Sequence, residues 1–316
     1  MIVTLTPNPS LDCTLELDRL VRGAVLRARE TRVEAGGKGV NVARALLANG
    51  HAARAVLPVG GPEGDHLVAL LEGLGLDIRS VPIAAPIRTN VSLVEPNGTV
   101  TKINAPGPEL VVDEPDALRK STVASLDGAT WVAACGSLPP GAPADLYAAL
   151  IRDVHDAGVS VAVDTSGAPL AAAITAAPDV IKPNAEELAA VVGRGLDTFG
   201  DVVTAAGELR GRGVGRVLVS LGRDGAVLVD DAGAVHAETP PTIPRSNVGA
   251  GDATLAGFLA AGGAGAEALR RAVAWGAGAV GLPGTAMPGP EEVDVAAVRI
   301  RDVDPDRRLH ESEGER

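Results

Sequence analysis

SNVGAGDATLAGFL, residues 246–259, runs a Gly-Ala-Gly turn directly into an apolar helical pattern. Small residues at Gly249, Ala250 and Gly251 let the backbone come close to a ligand, and the free N–H groups of a helix start point outward with the helix dipole behind them. That is an anion site by construction. Asp252 is the odd residue in it, because a carboxylate there repels a bound phosphate. It reads either as a first-turn acid or N-cap, or as a general base that takes a proton from a hydroxyl while the amides stabilise charge on the transferred group. The local pattern weighs the two evenly.

Working outward, short β-branched runs at 2–6, 53–58, 130–134, 159–164, 180–182 and 217–221 read as strands. Several are apolar throughout, as strands buried on both faces must be. Amphipathic stretches at 40–49, 64–74, 115–126, 144–157, 186–192 and 201–212 read as helices, and Gly50, Gly75, Gly158 and Gly213 stand just past helix ends. The repeated β-α-β order predicts an α/β fold, a doubly wound, mostly parallel sheet flanked by helices. Two segments break the rhythm. Residues 11–34 read as two extended stretches around Arg22-Gly23, and 89–104 as a hairpin, VSLVE then TVTKIN, turning at Asn97-Gly98. They predict a small β-rich lid fed from about 11–34 and 87–106. No linker-like composition divides the chain, so 1–298 reads as a single domain. Residues 299–316, dense in charge and poor in apolar side chains, read as a disordered tail.

Four further stretches carry chemistry. EAGGKGVN (34–41) opens another helix: Gly36, Gly37 and Gly39 give backbone access, and Lys38 supplies a compact positive charge. It is no Walker A loop, which needs Ser or Thr where Gly39 stands, and alone it reads equally as a solvated lysine at a helix start. SLGRDG (220–225) lies between two strands and by itself reads as a tight turn. KPNAEE (182–187) sits at the C-terminal end of a strand, the edge where open α/β sheets bind ligands. Its Asn184 and Glu187 share one side of a starting helix, which suits a hard cation or its waters and equally a capping pair. Asp12 follows the Pro7-Asn8-Pro9 turn at the same kind of edge, where a carboxylate can accept sugar hydroxyls. Arg88, with Asn90, stands where the lid begins; an arginine there can fork onto a phosphate or be solvated.

Composition narrows the classes. The chain has 316 residues, 46% hydrophobic and 22% charged, enough for a globular protein with an ample core. Two Trp, one Tyr and two Phe make the core aliphatic and leave little for stacking on bases. A net charge of −12 argues against a nucleic-acid partner, yet a few local Lys and Arg still suffice for a small anion. Cys13 and Cys135 form neither a disulfide framework nor a CxxC pair, which fits reduced thiols in the cytoplasm. The start MIVTLTPNPS has no signal-peptide pattern. The uncharged run 272–290 carries five Gly and three Pro, a poor membrane span. The five histidines fall in no zinc-ligand spacing. No membrane and no nucleic acid are expected as partners.

Taken in this order, the segments resemble the ribokinase-like (PfkB) sugar kinase family, from about residue 5 to residue 284. AGGKGVNVARAL (35–46) looks like the family's N-terminal signature and VGAGDATLAGF (248–258) like its C-terminal one; KPN-x-x-E and SLG-x-x-G fall at its metal-linked and nucleotide stretches. TPNPSLD (6–12), Lys38, IRTNVSL (87–93) and GSLPPG (136–141) are in the style of the sugar-phosphate branch. KINAPGPEL (102–110) is similar to 1-phosphofructokinases and tagatose-6-phosphate kinases, the former being favoured.

The resemblance implies roles. Asp252 is the catalytic base, and Gly249, Ala250 and Gly251 form the anion hole. Lys38 and Arg88, with Arg27 as a weaker candidate, bind the substrate phosphate. Asp12, Gly37, Asn41 and Ser137 line the sugar site. Lys182, Asn184, Ser220, Gly222 and Gly225 flank ATP. Glu187 acts through magnesium-bound water, and Ser246, Val248, Ala279 and Gly284 match positions around a monovalent cation, potassium. The chain departs from the family's pattern at Asn247, where Thr is frequent two places before GAGD, and at Ala253, where Ser is common; Thr254 follows. The implied activity is ATP-dependent phosphorylation of the 6-hydroxyl of fructose 1-phosphate to fructose 1,6-bisphosphate, with Mg2+, in a homodimer formed through the lid. The alternatives are a tagatose-6-phosphate kinase, a minor 6-phosphofructokinase, or, in a different class, a non-catalytic sugar-phosphate or nucleotide sensor, which fold alone does not exclude. A sensor has no need of a carboxylate facing phosphate. A Rossmann dehydrogenase is disfavoured because no G-x-G-x-x-G follows the first strand.

Overall fold

A computed structural model describes residues 1–240, 245–246 and 248–310. The chain starts in β1 (Ile2–Leu5), buried along its whole length, and then leaves the main sheet for an antiparallel pair, β2 (Ser10–Glu16) and β3 (Glu30–Gly36). It returns through α1 (Lys38–Ala48), β4 (Ala53–Val59), α2 (Gly61–Gly73) and β5 (Asp77–Pro82). A second excursion forms the hairpin β6 (Arg88–Val94) and β7 (Val100–Ile103). Alternation then resumes with α3 (Glu114–Val123), β8 (Trp131–Cys135), α4 (Leu146–Asp156), β9 (Ser160–Asp164), α5 (Gly167–Ile174) and β10 (Val180–Ile181). After α6 (Ala185–Val192), α7 (Phe199–Gly211) and β11 (Arg216–Ser220) come the hairpin β12 (Ala226–Asp230) and β13 (Gly233–Glu238). The helices α8 (Ala250–Ala260) and α9 (Gly265–Val280) and the strand β14 (Arg299–Asp302) complete the order.

The main sheet has ten strands in the order β14-β13-β12-β11-β10-β9-β8-β1-β4-β5. Pairing is parallel from β5 to β11 and antiparallel from β11 to β14. The chain fills one side of β1 with β4 and β5, then turns back to lay down β8 and its successors on the other. The crevice outside the carboxyl ends of such a reversal is where open α/β sheets bind ligands. The excursions form the second sheet, β3-β2-β6-β7, in which β2 and β6 run parallel from Ser10 beside Arg88 to Glu16 beside Val94. That places Asp12 beside Asn90.

α8 owes its position to its lack of a polar face. Residues Asp252 to Leu259 are all buried, so the helix is surrounded on every side. It crosses α9 closely: a side chain at Gly257 would stand 2.7 Å from the Arg271 carbonyl, and one at Gly276 would collide with Thr254 Oγ1. The start of α8, with its unsatisfied N–H groups and half-buried at Gly249, Ala250 and Gly251, is thereby fixed in place.

The expected strands and helices are present within a few residues. Among the described residues five elements are additional: β5, β13, α5, α9 and β14. Residues 272–280 of the uncharged run belong to α9, and among the described residues no helix is long and apolar enough to cross a membrane. The expectation of a disordered 299–316 is corrected over its first part. Arg299–Asp302 pairs with β13, covering what is otherwise an unpaired sheet edge, and Phe199 N–H donates to the Arg307 carbonyl at 2.9 Å. Residues 311–316 and Asn247 lie outside the described residues.

Candidate active site

Gly249 caps α8 at a φ of 79°, a left-handed conformation that favours glycine, and a side chain there would push Met287 Cε aside. The first helical bond of α8 is Ala253 N–H to Gly249 O, 2.8 Å; the amides ahead of it have no acceptor within the helix. Asp252 lies among them, 6% exposed. Gly249 is the N-cap and Asp252 stands inside the first turn of α8, so of the structural readings of Asp252 the first-turn acid holds and the N-cap lapses. Its Oδ2 accepts instead from Asn41 Nδ2 at 2.9 Å, across 211 residues of sequence. The Asn41 Oδ1 accepts from Arg44 Nη1 at 3.2 Å, and the same nitrogen donates to the Ala35 carbonyl at 2.9 Å. Arg44, overlooked in the sequence, therefore fixes which end of the Asn41 amide faces Asp252.

Burial, and then the charge of Asp164, push the Asp252 carboxyl up to about 6, with Lys38, Asn41 and Lys182 opposing. A carboxyl resonance of 13C-aspartate-labelled protein is therefore expected to titrate near pH 6 and to be missing from Asp252→Asn. Aspartate resonances that all titrate below about pH 5, the ordinary range, would contradict this environment.

Asp164, at the end of β9, is the group that sequence reading missed. Its carboxylate is fully buried between two lysines: Lys38 Nζ donates to Oδ1 at 2.8 Å, and Lys182 Nζ stands 3.0 Å from Oδ2. Burial alone would make it harder to ionise, but Lys182 and Lys38 outweigh that and hold it charged. The Lys182 contact is off the hydrogen-bonding direction, so Oδ2 has no hydrogen-bond donor. Lys38 also stands 3.8 Å from Glu187 Oε1. Burial opposes its charge, but Asp164 and Glu187 more than offset that and hold the ammonium protonated. A side chain at Gly251 would lie 3.2 Å from Lys182 Nζ. Two ammonium groups, two carboxylates and a helix start thus converge from β9, β10, α1, α6 and α8.

The candidates on the small-sheet side fall into two groups. Asp12 Oδ1 accepts from Ser10 Oγ at 2.7 Å and from Asn90 Nδ2 at 3.0 Å. Gly37 caps α1 at a φ of 115°, close against Thr6 and Pro9. Asn8 Nδ2 reaches Ser137 Oγ at 3.3 Å and the Pro106 carbonyl at 2.9 Å. Arg88 is held by the backbone around it. Its fork is spent on backbone, Nη1 on Ala105 O and Nη2 on Asn8 O, both 2.9 Å, while Nε is buried without a partner. It ties the small sheet to the turn after β1. Arg27 is exposed between β2 and β3 and makes no hydrogen bond or ion pair among the described residues.

On the other side, Asn184 and Glu187 form a reciprocal capping box on α6, which uses Glu187 Oε2 and leaves Oε1 towards Lys38. Ser220 bridges Asn184 in parallel register. Gly222 faces open space, and Gly225, at a φ of 80°, packs so tightly on β13 that a side chain would strike the Ala237 carbonyl. Ser246 Oγ donates to Gly284 O at 2.8 Å and accepts from Val248 N–H at 3.1 Å. The Ala279 carbonyl is taken by Leu282 N–H at 3.0 Å. Among the described residues no three His, Cys, Asp or Glu side chains gather as metal ligands. A hard cation that keeps most of its waters and shares phosphate oxygens needs fewer, and Asp164, whose Oδ2 lacks a hydrogen bond, with Glu187, which shares Lys38 with it, fits such a group.

A ribokinase-like sheet whose carboxyl edge carries a helix-start anion cradle, a buried carboxylate and paired lysines belongs to a phosphotransferase acting on a hydroxyl. The chain belongs to the pfkB family of carbohydrate kinases, whose model matches residues 8–292. It is 41% identical to a 1-phosphofructokinase of Rhodobacter capsulatus over 302 residues, 94% of this chain and 95% of that protein. It is 37% identical to the ATP-dependent 6-phosphofructokinase isozyme 2 of Escherichia coli over 257 residues, covering 80% and 83% of the two chains. The crystal structure of phosphofructokinase-2 from Escherichia coli in complex with potassium superposes with a TM-score of 0.87 at 35% identity, covering 92% of this chain and 96% of that one.

Proposed function

We propose that this carbohydrate kinase phosphorylates the 6-hydroxyl of fructose 1-phosphate at the expense of ATP. The observation that carries the reading is the Asp252 carboxylate, buried beside the free amides of α8 and oriented by Asn41. Asp252 takes the proton of the attacking hydroxyl as its oxygen bonds to the γ-phosphorus and the bond to the β-γ bridging oxygen of ATP breaks, releasing ADP. The amides of Gly249, Ala250 and Gly251 face the charge that develops on the transferred group. Lys38, with the spare Nε of Arg88, holds the phosphate of the acceptor, and Arg27 is a further candidate. Asp12, Gly37, Asn41 and Ser137 line the sugar. Lys182, Asn184, Ser220, Gly222 and Gly225 flank the nucleotide. Magnesium bound with ATP supplies neutralisation of phosphate charge; Asp164 and Glu187 would hold it, directly or through water. Ser246, Val248 and Gly284 would hold potassium, as the potassium complex of the Escherichia coli relative supports. The four-stranded sheet serves as a lid that excludes water and as the face of a homodimer, since Val33, Val100 and Ile103 are exposed on it. Unpaired Cys13 and Cys135 suit the reducing cytoplasm.

The second reading is a 6-phosphofructokinase, favoured by the Escherichia coli relative; tagatose 6-phosphate is the third acceptor. Competing initial rates decide among them. Fructose 1-phosphate is expected to have the highest kcat/KM, by at least about tenfold, since a buried polar group left unpaired by the wrong isomer costs about 1–3 kcal/mol. Preference for fructose 6-phosphate or tagatose 6-phosphate would reassign the acceptor and leave the chemistry intact.

A further inference from the structure

Asp224 lies in the 220–225 turn and has no part in the reaction above, yet its carboxylate is buried, with 1% exposed. Three donors reach it, all from the C-terminal segment: Arg307 Nη2 at 2.9 Å, His310 N–H at 2.9 Å and His310 Nδ1–H at 2.6 Å. Burial works against its charge, and the His310 and Arg307 donors overcome that. Its main-chain carbonyl accepts His236 Nε2–H from β13 at 2.7 Å. Arg307 gives its other arm, Nη1, to Glu238 at 2.8 Å and lies 4.8 Å above the Phe199 ring. The donor segment is itself anchored. Arg307 O accepts Phe199 N–H at 2.9 Å, Pro305 O accepts Gly200 N–H at 3.0 Å, and Leu309 N–H donates to Asp197 O at 2.9 Å. The start of α7, the 220–225 turn and residues 305–310 are thus one hydrogen-bonded unit.

The same turn presents its other side to the candidate site. Ser220 N–H donates to Pro183 O at 3.1 Å, next to Asn184, and Gly222 has open space where a side chain would stand. The turn therefore has a fixed rear and an open front. A loop already held in its binding conformation does not lose ordering entropy when the ligand arrives, whereas a released loop does.

We propose that residues 305–310 are a clasp on the 220–225 turn, with Asp224 its positioning residue, so that the C-terminal segment sets nucleotide affinity without touching the nucleotide. This rests on the reading that Ser220, Gly222 and Gly225 meet ATP.

The test uses the full chain carrying Asp224→Asn or His310→Ala, with ADP binding measured by calorimetry beside steady-state kinetics. Loss of a charge-assisted bond to a buried group is expected to raise the ADP Kd and the ATP KM by about 5–50-fold. The KM for sugar phosphate and the kcat at saturating ATP should stay within about threefold, and His310→Asn, whose amide can donate to the same oxygen, should recover most of the loss. Unchanged nucleotide constants in a folded variant would overturn the clasp, and so would nucleotide and sugar-phosphate constants that worsen together. Gly222→Asn tests the underlying reading separately, because Asn tolerates the φ of 57° there and projects into the open space. If it leaves ADP affinity untouched, the turn is not at the nucleotide and the proposal falls with that reading. If it weakens ADP while Asp224→Asn does not, the clasp alone fails.

Discussion

Asp252→Asn is expected to fold, to bind both substrates and to lose about 10²–10⁴-fold in kcat, the usual contribution of a positioned base. The amide keeps the shape of the side chain and can still accept from Asn41 Nδ2, so the geometry around the α8 start is preserved. What disappears is the proton acceptor. A variant that keeps most of its turnover would remove Asp252 from that role. The same substitution is expected to stabilise the fold. In the native state the carboxyl holds its proton to about pH 6, against an ordinary value of 3.8, so between those values the folded protein binds more protons than the unfolded chain. Stability then falls as pH rises through this window, and above it the buried charge costs on the order of 3 kcal/mol. The amide of the variant has no charge to bury. A higher Tm at pH 7, with the difference shrinking towards pH 4, is the expected result; a lower Tm at both values would show that the carboxylate is stabilised where it sits.

The second large effect is on Lys38→Ala. Removing an ammonium that meets a dianionic phosphate in a half-buried site is expected to raise the KM for sugar phosphate by about 10²-fold, with the ATP KM much less affected. An unchanged sugar-phosphate KM would remove Lys38 from the phosphate site. The structure adds a consequence that the glycine-rich segment alone does not disclose. Lys38 is one of the charges that oppose the upward shift of Asp252, so its loss should move the acid limb of kcat/KM to higher pH. Lys38 also neutralises Asp164; with Lys182 alone left to do so, the variant should unfold at a lower temperature than the wild type.

Much of this site was legible because its parts are local patterns. The Gly-Ala-Gly turn, the capping spacing of Asn184 and Glu187, and the apolar strands at 2–6 and 130–134 each follow from a few consecutive residues. Asp164 was not legible because its meaning is non-local. SVAVD looks like any buried strand running into a loop, and what distinguishes its last residue is Lys38, 126 positions away, together with Lys182. Arg88 was only half legible. A cationic side chain at the edge of the small sheet reads as a phosphate ligand, but most of its donors serve main-chain carbonyls left open by the turns at Asn8 and Ala105. The charged 299–310 stretch looked disordered because composition counts charges without pairing them. Arg307 and His310 find Asp224, and β14 finds the edge of β13. α9 escaped notice because Gly276, Gly278 and Gly281 dilute its helical pattern; Gly276 is there for the close crossing with α8.

Mixing the wild-type protein with ATP, magnesium and fructose 1-phosphate, and following ADP and sugar bisphosphate together, tests most directly whether the Asp252 cradle performs phosphoryl transfer. The expected result is one fructose 1,6-bisphosphate for each ADP, with ADP release negligible when the sugar phosphate is omitted. Binding of both ligands with no ADP released would contradict it and make the protein a sensor built on a kinase fold.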